Sequence, residues 1–154
     1  MNRMFYLCCA AGGGLLAAGA FYLMADKPTK GATGGIPIMI ASIQGAPGDG
    51  NTALRSAFGV MLENAEIPQV DELEDCTLAV SAEVSTERAS DNDRVSIIWQ
   101  VHDSQGRSIG EVAQVNEVPA GKLNNTWGTD ASLAARGARD GIVNIIRRQR
   151  ISCT

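Results

Sequence analysis

The chain has 154 residues, a length that suits one domain and argues against two full-sized ones. Lys and Arg number 13 against 17 Asp and Glu, a formal net charge of −4, with 19% of residues charged and 5% aromatic. This composition excludes the basic, aromatic-studded nucleic-acid binder and the weakly hydrophobic, highly charged disordered chain.

The 45% hydrophobic content is unevenly spread. No charged residue occurs from Met4 to Ala25, where the chain reads MFYLCCAAGGGLLAAGAFYLMA. Arg3 precedes this run and Asp26-Lys27-Pro28 ends it. About 20 apolar residues in a helix cross the hydrocarbon core, so residues 1–25 are expected to be a transmembrane anchor or a signal segment. Basic charge before the run and a mostly acidic chain after it predict a single-pass, N-in protein of the inner membrane, with its C-terminal domain in the periplasm. The alternative is a signal cut after Ala20 or Ala25, which releases the domain to the periplasm. The uncleaved anchor is favoured, because the apolar run is long and cutting after Ala20 leaves Phe21-Tyr22-Leu23-Met24 as a greasy new terminus. Gly14 and Ala18 stand at a small-xxx-small spacing that lets two membrane helices approach closely. Phe5-Tyr6-Leu7 lacks the small residues that normally precede a lipidated cysteine such as Cys8 or Cys9.

Residues 26–35 carry Pro28, Gly31, Gly34 and Gly35 and read as a flexible linker. The domain is expected over 36–150, with a tail at 151–154. Ile36 to Ile43 is apolar on both faces, as in a buried strand, and Pro37 is tolerated near its start. Gly45-Ala-Pro-Gly-Asp-Gly50 breaks it. Leu54, Ala57, Phe58, Met61, Leu62 and Ala65 then recur at helical spacing, so an amphipathic helix follows, capped by Asn51 or Thr52 and closed by Pro68. Alternation over Leu78–Val84 and over Val95–Val101 predicts half-buried strands around a turn at Ser90–Asp93. Asp103–Gly106 is a hairpin turn and Ile109 to Val118 the return strand. A longer loop spans Pro119–Gly128, and Thr129 or Asp130 caps a final helix to Arg148. Leu133, Gly137 and Gly141 recur along that helix, a face suited to close packing on a sheet.

The order β-α-β-β-β-α predicts an α+β fold: a two-layer sandwich with a mainly antiparallel four-stranded sheet and two helices on one face, preceded by an N-terminal transmembrane helix.

The stretch Trp99-Gln-Val-x-Asp103-x-x-Gly106-x-x-Ile109-Gly110-x-Val112-x-Gln114-x-Asn116-x-Val118-Pro119-x-Gly121-x-Leu123, followed by Trp127-Gly128-x-x-Ala131, resembles a family of small uncharacterised envelope proteins of alphaproteobacteria, many of them predicted lipoproteins. Ala135, Gly137, Ala138, Gly141 and Ile142 extend the likeness, and the Gly45–Gly50 loop is similar too. The resemblance runs from about Ile36 to Ile146 and implies an envelope location but no established activity.

The residues themselves offer little chemistry. The Gly45–Gly50 loop joins a strand to a helix, a place where phosphate binds, but it carries no Lys, and Asp49 repels an anion. His102 is the only histidine, and its neighbours Asp103 and Ser104 do not converge as a triad does. No His/Cys spacing suits zinc, and Asp91-Asn-Asp93 lacks the rest of a calcium loop. Asp71, Glu72, Glu74 and Asp75 read as a solvated connector. No catalytic, cofactor or metal residue is therefore assigned.

Cys76 and Cys153 are a candidate disulfide in an oxidising compartment, one that would pin the tail to the sheet; the alternative is one buried apolar thiol and one exposed tail thiol. Charge is polarised: residues 49–93 hold eleven acids and two arginines, a formal −9, and residues 94–154 hold eight bases and five acids, a formal +3. Arg147, Arg148 and Arg150 close the last helix, where cations suit its dipole or meet anionic lipid or an acidic partner. Lys122 and Trp127 in the long loop are further candidate partner contacts, as are Gly14 and Ala18 in the membrane; Trp127 alternatively caps the core. The expected function is a non-enzymatic, membrane-tethered periplasmic accessory or scaffold that works through membrane lipid and protein partners in an envelope or inner-membrane assembly. The alternative is a periplasmic small-ligand-binding module built on the Gly45–Gly50 loop.

Overall fold

The computed structural model describes the backbone of Tyr6–Cys8 and residues 35–149. In chain order the elements are β1 (Tyr6–Cys8), β2 (Ile38–Gln44), α1 (Gly50–Asn64), β3 (Gln69–Val70), β4 (Leu78–Ala89), β5 (Asn92–His102), β6 (Ser108–Pro119) and α2 (Gly128–Arg148). The strands form one sheet in the order β1-β6-β5-β4-β2-β3.

The fold is α+β with two helices, as expected, but the sheet is mixed rather than mainly antiparallel and four-stranded. β4, β5 and β6 are successive antiparallel hairpin strands, whereas β2 runs parallel to β4, with Ile38 opposite Leu78. The reason is the connection. A tight turn forces antiparallel pairing, but a helix between two strands returns the chain to the starting edge and lets them run together. β3 also joins β2 in parallel, and β1 pairs antiparallel with β6 through Tyr6 and Val115. Of the expected transmembrane segment, Tyr6–Cys8 is therefore extended, and the remainder lies outside the described residues. Among the described residues no helix is long and apolar enough to cross a membrane.

The helices begin slightly earlier than the cap residues suggested. α1 starts after Asp49 and α2 after Trp127, and neither start has a side-chain cap of its own. Asn51 instead accepts the Ala46 N–H at 3.0 Å, tightening the turn ahead of α1. Arg55 on α1 reaches back to β2 and donates to the carbonyls of Ile40 (2.7 Å) and Ala41 (2.8 Å), where the β2–β4 register shifts. Carbonyls freed by an irregular pairing are thus satisfied.

The core lies between the sheet and the two helices. Val95, Ile97, Trp99 and Val101 point inward from β5, and Leu54, Phe58 and Leu62 meet them from α1. Phe58 and Trp99 stack with centroids 4.7 Å apart, adding about 0.5–1.5 kcal/mol to the burial of their area. Ala134, Ala135, Ala138, Ile142 and Ile146 line the buried face of α2. The close packing expected of its glycine face is present at Gly141, where a Cβ would stand 2.7 Å from a Val112 methyl.

Candidate functional site

The glycine-rich loop between β2 and α1 and the long loop before α2 are locked to each other. Gly45 and Gly48 take positive φ values of 87° and 61°, conformations that L side chains rarely adopt. At Gly48 a Cβ would also fall 2.6 Å from the Asn125 carbonyl oxygen. The loop therefore comes close enough for Asp49 N–H to donate to that carbonyl at 3.1 Å. The Asp49 carboxylate accepts the Trp127 backbone N–H at 2.8 Å, and Trp127 Nε1–H donates to the Pro47 carbonyl at 2.9 Å. Asp49 thus sits at the N-terminal ends of both α1 and α2, where a negative charge is favoured.

Trp127 is only 2% exposed. It caps the core instead of presenting an anchor to a partner, so its place among the surface contacts is corrected. The position follows from Gly50, where a Cβ would lie 2.4 Å from Trp127 Nε1. The missing side chain leaves the space that the indole fills. The polar groups of the glycine loop are correspondingly spent on the neighbouring loop.

A second tie holds the opposite side of the long loop. Asp93 is 3% exposed. It accepts from the Arg88 guanidinium and from the Gly121 backbone N–H. The Arg88 hydrogen bond, followed by that of Gly121, holds the Asp93 carboxyl below the usual aspartate range. The polar Ser90–Asp93 stretch suggests a turn for Asp93, yet it is the second residue of β5 and faces inward like Val95 and Ile97. That same alternation, extended back two residues, was the available signal. Asp103 behaves as the turn residue expected: its carboxylate accepts the backbone N–H groups of Arg107 and Gln105 at 2.9 Å each. The Arg107 backbone N–H is the largest influence lowering its pKa. His102 is the half-buried last residue of β5 instead of a turn residue.

The expected basic contacts do not form one surface. Lys122 is bound to Asp130 at 2.7 Å. Arg147 and Arg148 are exposed at the far end of α2, about 26 Å from Asp130 at ~1.5 Å per helical residue. Gly14, Ala18, Arg150 and Cys153 lie outside the described residues. Cys76 is disulfide-bonded and holds a positive φ of 70° just before β4. Asp71, Glu72, Leu73, Glu74 and Asp75 are all exposed, as a solvated connector should be. Among the described residues no group of His, Cys, Asp and Glu is arranged to hold a metal ion.

Among the described residues the helical layer carries a shallow groove of about 380 Å³ between α1 and the first turns of α2. Ala53, Ala57, Val60 and Met61 form its apolar wall, and Ser132 and Arg136 face them from α2. Val60 is 55% exposed. The groove offers an apolar surface with one cation and no acid or histidine among its lining side chains.

No protein-family model matches the sequence, and neither does any curated protein. Solved structures do match. The PelC dodecamer from Paraburkholderia phytofirmans, as a point variant and unsubstituted in two crystal forms, superposes with TM-scores of 0.50 and 0.52 at 13% and 11% identity. Each alignment covers 95% of this chain and 100% of the PelC chain. At this identity the likeness is one of fold.

Proposed function

We propose that the chain is a membrane-tethered scaffold of the cell envelope that acts through protein–protein contacts, including contacts between copies of itself. The observation that carries this reading is the end-to-end fold likeness to PelC, a protein that crystallises as a dodecamer. The character of the surface supports it. Asp49, Trp127, Asp93 and Lys122, the polar and aromatic residues that stand out in the sequence, are engaged within the molecule. What is left outside is contact chemistry: an apolar groove and the exposed Val60, Leu73 and Ile98.

The apolar run from Met4 to Ala25 supplies the tether in this reading, with the folded domain in the periplasm of an inner-membrane protein. Membrane attachment raises the local concentration of copies and so favours weak lateral contacts. The resemblance of the Trp99–Ala131 motif to alphaproteobacterial envelope proteins points to the same compartment.

Extraction of the full chain from its native membranes in mild detergent tests the reading. The expected result is a membrane-fraction protein recovered in a particle of several copies or with defined protein partners. Recovery as a soluble or detergent-bound monomer without partners overturns it.

A further inference from the structure

We infer that the groove between α1 and α2 is the docking site for the acidic 71–75 segment of a second copy of this chain, with Leu73 as the inserted side chain. The inference rests on the scaffold reading above and names the two surfaces that would meet.

Among the described residues the large exposed hydrophobics are Val60, Leu73 and Ile98. Isolated exposed side chains of this kind are ordinary, but two of the three sit in complementary settings. Val60 is part of the apolar wall of the groove. Leu73 is the one apolar residue in Asp71-Glu72-Leu73-Glu74-Asp75, a segment between β3 and β4 with every residue exposed. One surface is a concave apolar strip; the other is an exposed loop with a single apolar side chain.

Charge fits the same pairing. The loop carries four acids and no base. The groove is lined by Arg136 and by no acidic side chain, and Arg139 is exposed three residues further along α2. Arg136 makes no ion pair within the molecule among the described residues, whereas Arg88, Arg107, Lys122 and Arg139 do. An acidic loop entering the groove would give Arg136 its counter-charge while Leu73 covers Val60. Opposite charges across such a contact steer encounter and fix register.

The two surfaces are different patches of one molecule. A contact between unlike patches is head-to-tail, and it propagates from copy to copy until a ring closes or a filament grows. This is the geometry that an assembly of more than two copies requires from a single contact type.

The test uses the full chain in mild detergent and two variants, Leu73→Asp and Arg136→Glu. Both residues are exposed, so each variant should keep the wild-type melting profile, which is checked first. Sedimentation velocity is then run on each alone and on an equimolar mixture. Wild type is expected to form particles larger than a dimer, and each variant to associate at least tenfold more weakly. The mixture is expected to stop at two copies, because the intact loop of Arg136→Glu can enter the intact groove of Leu73→Asp and no further contact is possible. Wild-type assembly by both variants, or a mixture that stays monomeric, overturns the docking proposal and leaves the scaffold reading standing. A wild-type chain that is monomeric throughout overturns both.

Discussion

Trp127 and Gly50 form one structural unit. A methyl at Gly50 would stand 2.4 Å from the indole nitrogen, closer than any stable contact. Trp127→Ala should cost about 3–5 kcal/mol, the usual range for emptying such a site. Gly50→Ala should destabilise wild type strongly and the Trp127→Ala background less, because the clashing ring is gone. Urea unfolding of the four proteins measures the coupling; strictly additive losses would show that the two positions do not share this space. Asp93 carries a pH dependence instead. Its folded pKa is lowered, chiefly by Arg88 and then by Gly121. The stability it contributes is present in full above the unfolded aspartate pKa of about 3.9 and is lost as pH falls through the lower folded value. Asp93→Asn should therefore melt below wild type at neutral pH, with the gap narrowing below about pH 4. A gap constant over that range contradicts the assignment. Neither role was plain in the sequence. The Ser90–Asp93 stretch has the composition of a turn, and nothing local tells that Trp127 pairs with a loop 80 residues earlier.

At the level of elements, local periodicity carried the reading well. The alternation along β4 and β5 and the helical spacing along α1 correspond to the observed strands and helix, because each pattern is set by which side chains must leave water. Pairing was less legible. The parallel alignment of β2 with β4 depends on where α1 returns the chain, and β3 has only two residues, too few to leave a pattern. Packing between elements gives a test at Gly141. In an exposed helix Gly→Ala gains about 1 kcal/mol, but here the new methyl would lie 2.7 Å from the stiff, branched Val112. Overpacking costs about 1–3 kcal/mol, so Gly141→Ala should lower stability, and adding Val112→Ala should recover part of the loss. A stabilised Gly141→Ala in thermal unfolding would contradict the close approach. The disulfide of Cys76 belongs to this scale too. Cys8 on β1 is three strands from β4, about 14 Å at ~4.8 Å per strand, well beyond the ~4.4–6.8 Å that a disulfide spans between Cα atoms, and the single ~3.8 Å step on to Cys9 is too short to close that gap. The last turns of α2 lie at the end of the sheet where β4 begins: Ile145 packs near Gly110, whose β5 partner Val101 pairs with Val80. Cys153 follows α2 by a few residues and is the proposed partner. Cys153→Ser should then expose Cys76 to thiol reagents in the folded chain and lower stability by about 2–4 kcal/mol. A Cys76 that stays unreactive in that variant would point to a different partner.

Over the whole molecule, the acidic first half and the basic end of the domain become surfaces with positions. The acidic 71–75 segment is exposed just before β4, and Arg136, Arg147 and Arg148 are exposed along α2. Such separation of charge is a property of surfaces that meet other surfaces, and it matters more to association than to fold. The sequence was informative about this scale only in outline. Net charge and the apolar N-terminal run are sums and stretches that can be read directly, whereas the groove exists only once α1 and α2 are packed side by side. A scaffold built on contacts between copies requires association. Its most direct test is sedimentation velocity of the purified full chain in mild detergent across a hundredfold range of concentration. The account predicts a concentration-dependent rise to a discrete particle of more than two copies. A single monomeric species at every concentration would contradict it.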